Sequence, residues 1–202
     1  MRVTSVFVIA VLGLAACGSD NISSDEEARR AYLGLDDSIG KSLTLGFVGF
    51  NAATSANLPA DCCSDVGLET GTLVITGQVD QGSSDNKEMR LLVTMVDYND
   101  GKFTVDGDDK EIDITYNTNA DVTLQPALDL SLKGIPTGSI TGTLIGDYDM
   151  SGDIDGTATL NLTITGTMMD DGTGKVVRTP GTTHVTGTAV SGDGTFDVDV
   201  TL

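Results

Sequence analysis

Few residues in this chain have side chains suited to chemistry. There are three cysteines, Cys17, Cys62 and Cys63, and a single histidine, His184. His184 lies in a threonine-rich stretch with no nucleophile or carboxylate spaced to suggest a triad. No phosphate-binding glycine loop or dinucleotide fingerprint accompanies it. Many carboxylates are present, but nothing sets two of them apart as a glycosidase pair. These residues point to a chain without catalysis, with His184 an exposed strand residue. Cys62 and Cys63 are adjacent. Their Cα atoms, about 3.8 Å apart across a trans peptide, fall short of the usual disulfide range. An oxidised structural pair is the favoured reading in an oxidising compartment. An intermolecular bridge, a free pair and a metal site are the alternatives, the last weakened by the lack of a second cysteine pair.

The segment Asp147-Tyr148-Asp149-Met150-Ser151-Gly152-Asp153-Ile154-Asp155 resembles the start of an EF-hand or dockerin calcium loop. Asp147, Asp149, Ser151, Asp153 and Asp155 fall where such a loop carries oxygen ligands, with glycine at position six. Position twelve, where a carboxylate should close the shell, is Ala158. The resemblance implies weak calcium binding. The strand alternation running through the same residues implies only a turn between acidic strands.

Cys17 has a more specific setting. Arg2 precedes an almost wholly apolar run over residues 3–14, and Leu14-Ala15-Ala16-Cys17 follows. About a dozen residues is too few for a permanent membrane span, which needs ~20, but suits the core of a secretory signal. The segment resembles the lipobox of a bacterial lipoprotein precursor. That resemblance implies cleavage between Ala16 and Cys17 and diacylglyceryl transfer to the Cys17 thiol. N-acylation by a fatty acid such as palmitate often follows. Two or three acyl chains, at ~0.8 kcal/mol per buried methylene, give stable anchoring. Gly18 rather than an aspartate follows Cys17, which in enteric-type bacteria favours the outer membrane.

Without residues 1–16 the 202-residue chain retains 186 residues, enough for one domain with a core. Losing Arg2 leaves 10 basic against 30 acidic residues, a net charge of about −20. Such a charge repels phosphate backbones and anionic bilayers, so nucleic acid is excluded as a partner and membrane attachment falls to the acyl chains.

These residues must be positioned by one helix and many strands. Residues 17–23 read as the acylated cysteine and a flexible tether. Ser24 and Glu27 form a capping-box pattern. Apolar residues then recur at Ala28, Tyr32, Leu35, Ile39, Leu43, Phe47 and Phe50. These steps of three and four predict a helix over about 25–51, bent or frayed by its glycines. Residues 52–70 read as a loop. From 71 to 202 the period is two. It is cleanest where Ile140, Leu144, Tyr148 and Met150, and then Ala158, Leu160, Leu162 and Ile164, oppose threonines and aspartates. Asn99-Asp100-Gly101 reads as a hairpin turn. Short turns between strands predict an antiparallel meander, and glycines on the apolar faces predict strong curvature.

The expected fold is mainly β: a curled antiparallel meander or barrel, residues 24–202, with one N-terminal helix packed on or inside it. A transmembrane barrel would need aromatic girdles, which scattered phenylalanines and tyrosines do not supply. The expected function is that of an envelope lipoprotein with a structural or interaction role. A carrier for a hydrophobic ligand inside the curl, or a calcium-stabilised adhesive module, are the alternatives.

Overall fold

A computed structural model of the chain describes residues 21–105 and 107–202. The leader, the cleavage position Ala16 and the expected lipidation site Cys17 lie outside the described residues. The helical segment begins where Ser24 predicts it. The Ser24 hydroxyl accepts the Glu27 N–H at 3.2 Å and α1 runs Asp25–Leu33. The returning half of the capping box is displaced by one residue. The Glu27 carboxylate accepts from the N–H and hydroxyl of Ser23, at 2.8 and 2.7 Å, rather than from the Ser24 N–H.

α2 spans Asp36–Ala52, so helix covers the expected stretch with one break at Gly34–Leu35. There the Gly34 N–H bonds back to the Arg30 carbonyl and the Leu35 N–H to that of Tyr32. The bend wraps around a strand side chain: the Tyr116 hydroxyl sits where a Gly34 side chain would be.

The expected tether is shorter than residues 17–23. Ile22 is buried in the core, its carbonyl accepting the Ser191 hydroxyl at 2.6 Å. The Asn21 side chain occupies the space over Gly156, whose φ of +101° also favours glycine. An apolar residue at the start of the helical segment is pulled into the core because its burial outweighs the freedom of a few tether residues.

The loop expected over 52–70 contains a short strand, β1 (Ser64–Val66). The rest of the main sheet is β2 (Thr70–Val79), β3 (Lys87–Asn99), β6 (Ile114–Asn117), β7 (Ala127–Lys133), β8 (Ser139–Gly152), β9 (Gly156–Asp170), β10 (Val176–Arg178), β11 (His184–Ser191) and β12 (Gly194–Thr201). β4 (Phe103–Val105) and β5 (Asp108–Ile112) form a separate hairpin. Asn99-Asp100-Gly101 therefore does not fold β3 onto β4 as predicted. The main path is β1-β2-β3, then β6 and β7, then β8-β9-β11-β12, every pairing antiparallel. β6 and β7 lie end to end between β3 and β8, separated by residues 118–126. β3 bonds the rims of that interruption: Thr118 and Pro126 engage Met95 and Val93.

The sheet is a curled open meander with β1 and β12 at its ends. Its inner face packs around the helices: α1 lies on β12, and α2 on β1, β2, β3 and β10. Tyr32, Ile39 and Leu43 from the helices and Leu35 from the bend between them meet Leu73, Met89, Tyr116, Leu144, Leu160 and Val198 from the strands in one buried core. All four tyrosines of the chain are within it. At Gly187 the neighbouring strand approaches closely: φ is +148° and the Leu162 Cα lies 2.9 Å from where a Cβ would stand. Among the described residues no helix is long and apolar enough to cross a membrane.

Candidate functional site

Cys62 and Cys63 are joined by a disulfide on the segment before β1. Cys63 is buried, its sulfur against Gly49 of α2, and its carbonyl accepts the Ile75 N–H at 2.9 Å. A bond between neighbours closes almost no loop and removes little chain entropy from the unfolded state. Its contribution is packing at the seam of α2 and β2.

The five expected calcium ligands do not meet around one point. β8 carries Asp147, Asp149 and Ser151 on its exposed outer face, and β9 neighbours engage the first two. The Thr159 and Thr157 hydroxyls donate to Asp147 and Asp149 at 2.5 and 2.6 Å. Along an extended strand, Asp147 and Asp153 are separated by about 20 Å of chain, whereas a calcium shell is about 2.5 Å in radius. Asp153 instead pairs with Lys110 at 3.0 Å and accepts the Asp113 N–H at 3.0 Å, and these contacts hold its carboxyl below the usual range. Asp155 is exposed on the turn. Among the described residues no three histidine, cysteine or carboxylate groups gather as a metal site.

His184 is exposed, as predicted, and its Nε2 lies 2.8 Å from Asp199 Oδ1 on β12. No described hydroxyl or thiol nucleophile bonds to its ring.

Two ion pairs that sequence spacing could not reveal flank a cleft of about 380 Å³ beside α2. At the first, the Arg178 guanidinium forks onto the Asp36 carboxylate with both contacts at 2.7 Å, and the Tyr32 hydroxyl donates to the same carboxylate at 2.7 Å. At the second, Lys41 Nζ lies 2.5 Å from Asp100 Oδ1 and 5.1 Å from the Tyr98 ring centroid. The Leu68 N–H and the Tyr98 hydroxyl donate to the same carboxylate. Burial pushes the Tyr98 phenol far above its usual range, and Asp100 adds to the shift. Asp37, between the two pairs, has its carboxyl raised by burial and then by Asp100 and Asp36. Both cations brace α2: Arg178 against β10, and Lys41 against the Val66 carbonyl of β1 and Asp100 just after β3.

The outer face is a ladder of short polar side chains. Asp129, Thr143, Thr163, Thr186 and Asp199 stand side by side across five strands. Beside that row Leu92, Ala127 and Ile145 form a cross-strand apolar band. Ile145, with Val96, Val122 and Leu124, is exposed. Leu92 and Val96 read from the sequence as apolar additions to the outer face of their strand, whereas Ala127 and Ile145, isolated on polar faces, carry no periodic signal.

Comparison with known protein families, with characterised proteins and with solved structures finds no match to this chain.

Proposed function

We propose that this protein is an envelope lipoprotein, acylated at Cys17 and held at the outer membrane, whose β-domain has a structural or interaction role without catalysis. The observation that carries the anchoring is one of pairing. Cys62 and Cys63 take each other, which leaves Cys17 as the odd cysteine of three. An exported chain with an odd cysteine needs another fate for that thiol. A thioether to diacylglycerol at the end of Leu14-Ala15-Ala16-Cys17 supplies one.

The interaction role rests on where space and charge lie. A hydrophobic-ligand carrier would use the interior of the curl, and Tyr32, Leu35, Ile39 and Leu43 fill it. The outer face instead offers the band of Leu92, Ala127 and Ile145 among aspartates, which suits a partner with an apolar centre and a basic rim. Growth with an alkyne-tagged fatty acid tests the anchoring. The wild type takes up the label and fractionates with membranes, while Cys17→Ala does neither. Equal labelling of the variant would refute acylation at Cys17.

A further inference from the structure

We infer that the end of the domain carrying the β8–β9 and β11–β12 turns faces the lipid headgroups, and that the β2–β3 and β7–β8 turns point away from the bilayer. The inference rests on acylation at Cys17 and adds an orientation to it. Its basis is the length of chain between the anchor and the first packed residues. Asn21 lies against Gly156 at the start of β9, and the Ile22 carbonyl is held by Ser191 at the end of β11. Both contacts are at the same end of the sheet, because β8 runs into the β8–β9 turn there and β11 runs into the β11–β12 turn.

From Cys17 to Asn21 the chain can span at most about 14 Å even when fully extended. The acyl chains hold Cys17 at the level of the headgroups. Strand β8, Ser139–Gly152, rises about 40 Å if straight. A 14 Å leash fixed at one end of a strand of that length cannot let the domain stand on its far end, which would hold Asn21 about 40 Å from the headgroups, without releasing Ile22 from the core.

The occupant of this end is therefore a lipid surface rather than a soluble partner, which must approach the far turns or the outer face. The acidic residues Asp25, Glu26, Glu27, Asp153 and Asp155 at the near end would be repelled by anionic headgroups, so the test uses phosphatidylcholine vesicles.

Two labelling variants separate the ends. Gly192→Cys lies on the β11–β12 turn, where a side chain meets open space. Ser83→Cys lies on the exposed β2–β3 turn. Each acylated full-length protein is labelled with a fluorophore and reconstituted in vesicles containing headgroup-spin-labelled lipid. Quenching is expected to be several-fold stronger at position 192 than at 83, and a ten-residue Gly-Ser insertion after position 20 should remove most of the difference. Equal quenching, or stronger quenching at 83, in protein whose intact mass includes the acyl groups would overturn the orientation alone. A difference that survives the insertion would overturn the short leash as its cause. An unmodified Cys17 in that mass would overturn the anchoring reading and the orientation with it.

Discussion

Tyr116 donates its phenolic hydrogen to the main-chain carbonyl of Ala31 at 2.8 Å, joining the middle of the sheet to the last turn of α1. That carbonyl is among the helix's final four, which have no helical N–H partner of their own. The Leu35 N–H, which would ordinarily reach it, bonds Tyr32 instead. Burial drives the Tyr116 phenol well above its usual titration range, so it remains a donor at any working pH. The same ring stands edge-on to Tyr148 with centroids 6.4 Å apart.

Tyr116→Phe should cost about 1–3 kcal/mol in urea unfolding, because it strands a buried carbonyl. Gly34→Ala should also destabilise by about 1–3 kcal/mol, since its methyl overlaps the Tyr116 hydroxyl. In the Tyr116→Phe background the Gly34→Ala cost should shrink. Additive effects would contradict direct contact between the two positions.

Arg178 and Asp36 are 142 residues apart in sequence, and their side chains are only 14% and 16% exposed. Arg178→Ala should lower stability by about 3 kcal/mol, because it leaves Asp36 desolvated and unpaired. Arg178→Lys should recover only part of the loss, since an ammonium cannot replace the two-pronged contact. Full recovery in denaturant titration would show that charge alone matters.

Asp37 sets a pH dependence. Burial first, then Asp100 and Asp36, raise its carboxyl above the ordinary 3.8. An acid that binds its proton more tightly when folded loses stability as pH rises from its unfolded value to its folded one, and the whole penalty is present above that. Asp37→Asn should therefore stabilise the protein at neutral pH. The gain should fade as pH falls through the raised folded value and be gone below the ordinary aspartate range. A gain that grew on acidification would contradict this environment for Asp37.

Calcium should leave the thermal midpoint unchanged. Asp147 and Asp149 are engaged by threonines and Asp153 by Lys110, and the five oxygen-bearing residues are strung along a strand and turn. A rise of several degrees in calcium, reversed by chelator, would show that they can be drawn around an ion.

Much of this arrangement is legible in the sequence where one physical signal dominates. The alternation from Ile140 to Ile164 produces β8 and β9, because each strand has one face in the core and one in water. Ser24 starts α1 because its hydroxyl meets an orphan N–H. A bend at one of the helix glycines is legible, but not that it falls at Gly34, since apolar steps of three and four continue through it and the cause, Tyr116, is far along the chain. β1 is too short to show a period. Asp100 has the neighbours of a turn residue, yet it is a buried counterion for Lys41. Docking of Ile22 was obscured by the small polar residues around it. Each of these depends on a partner distant in sequence, which local pattern cannot supply.

The intact mass of the protein extracted from membranes in mild detergent, measured under native conditions, bears on both the anchor and the filled core. The expected mass is residues 17–202 with covalent acyl groups on Cys17 and no small molecule held noncovalently. A chain with an unmodified Cys17 would contradict the anchor. A lipid released on activation would contradict the filled interior and restore the carrier reading.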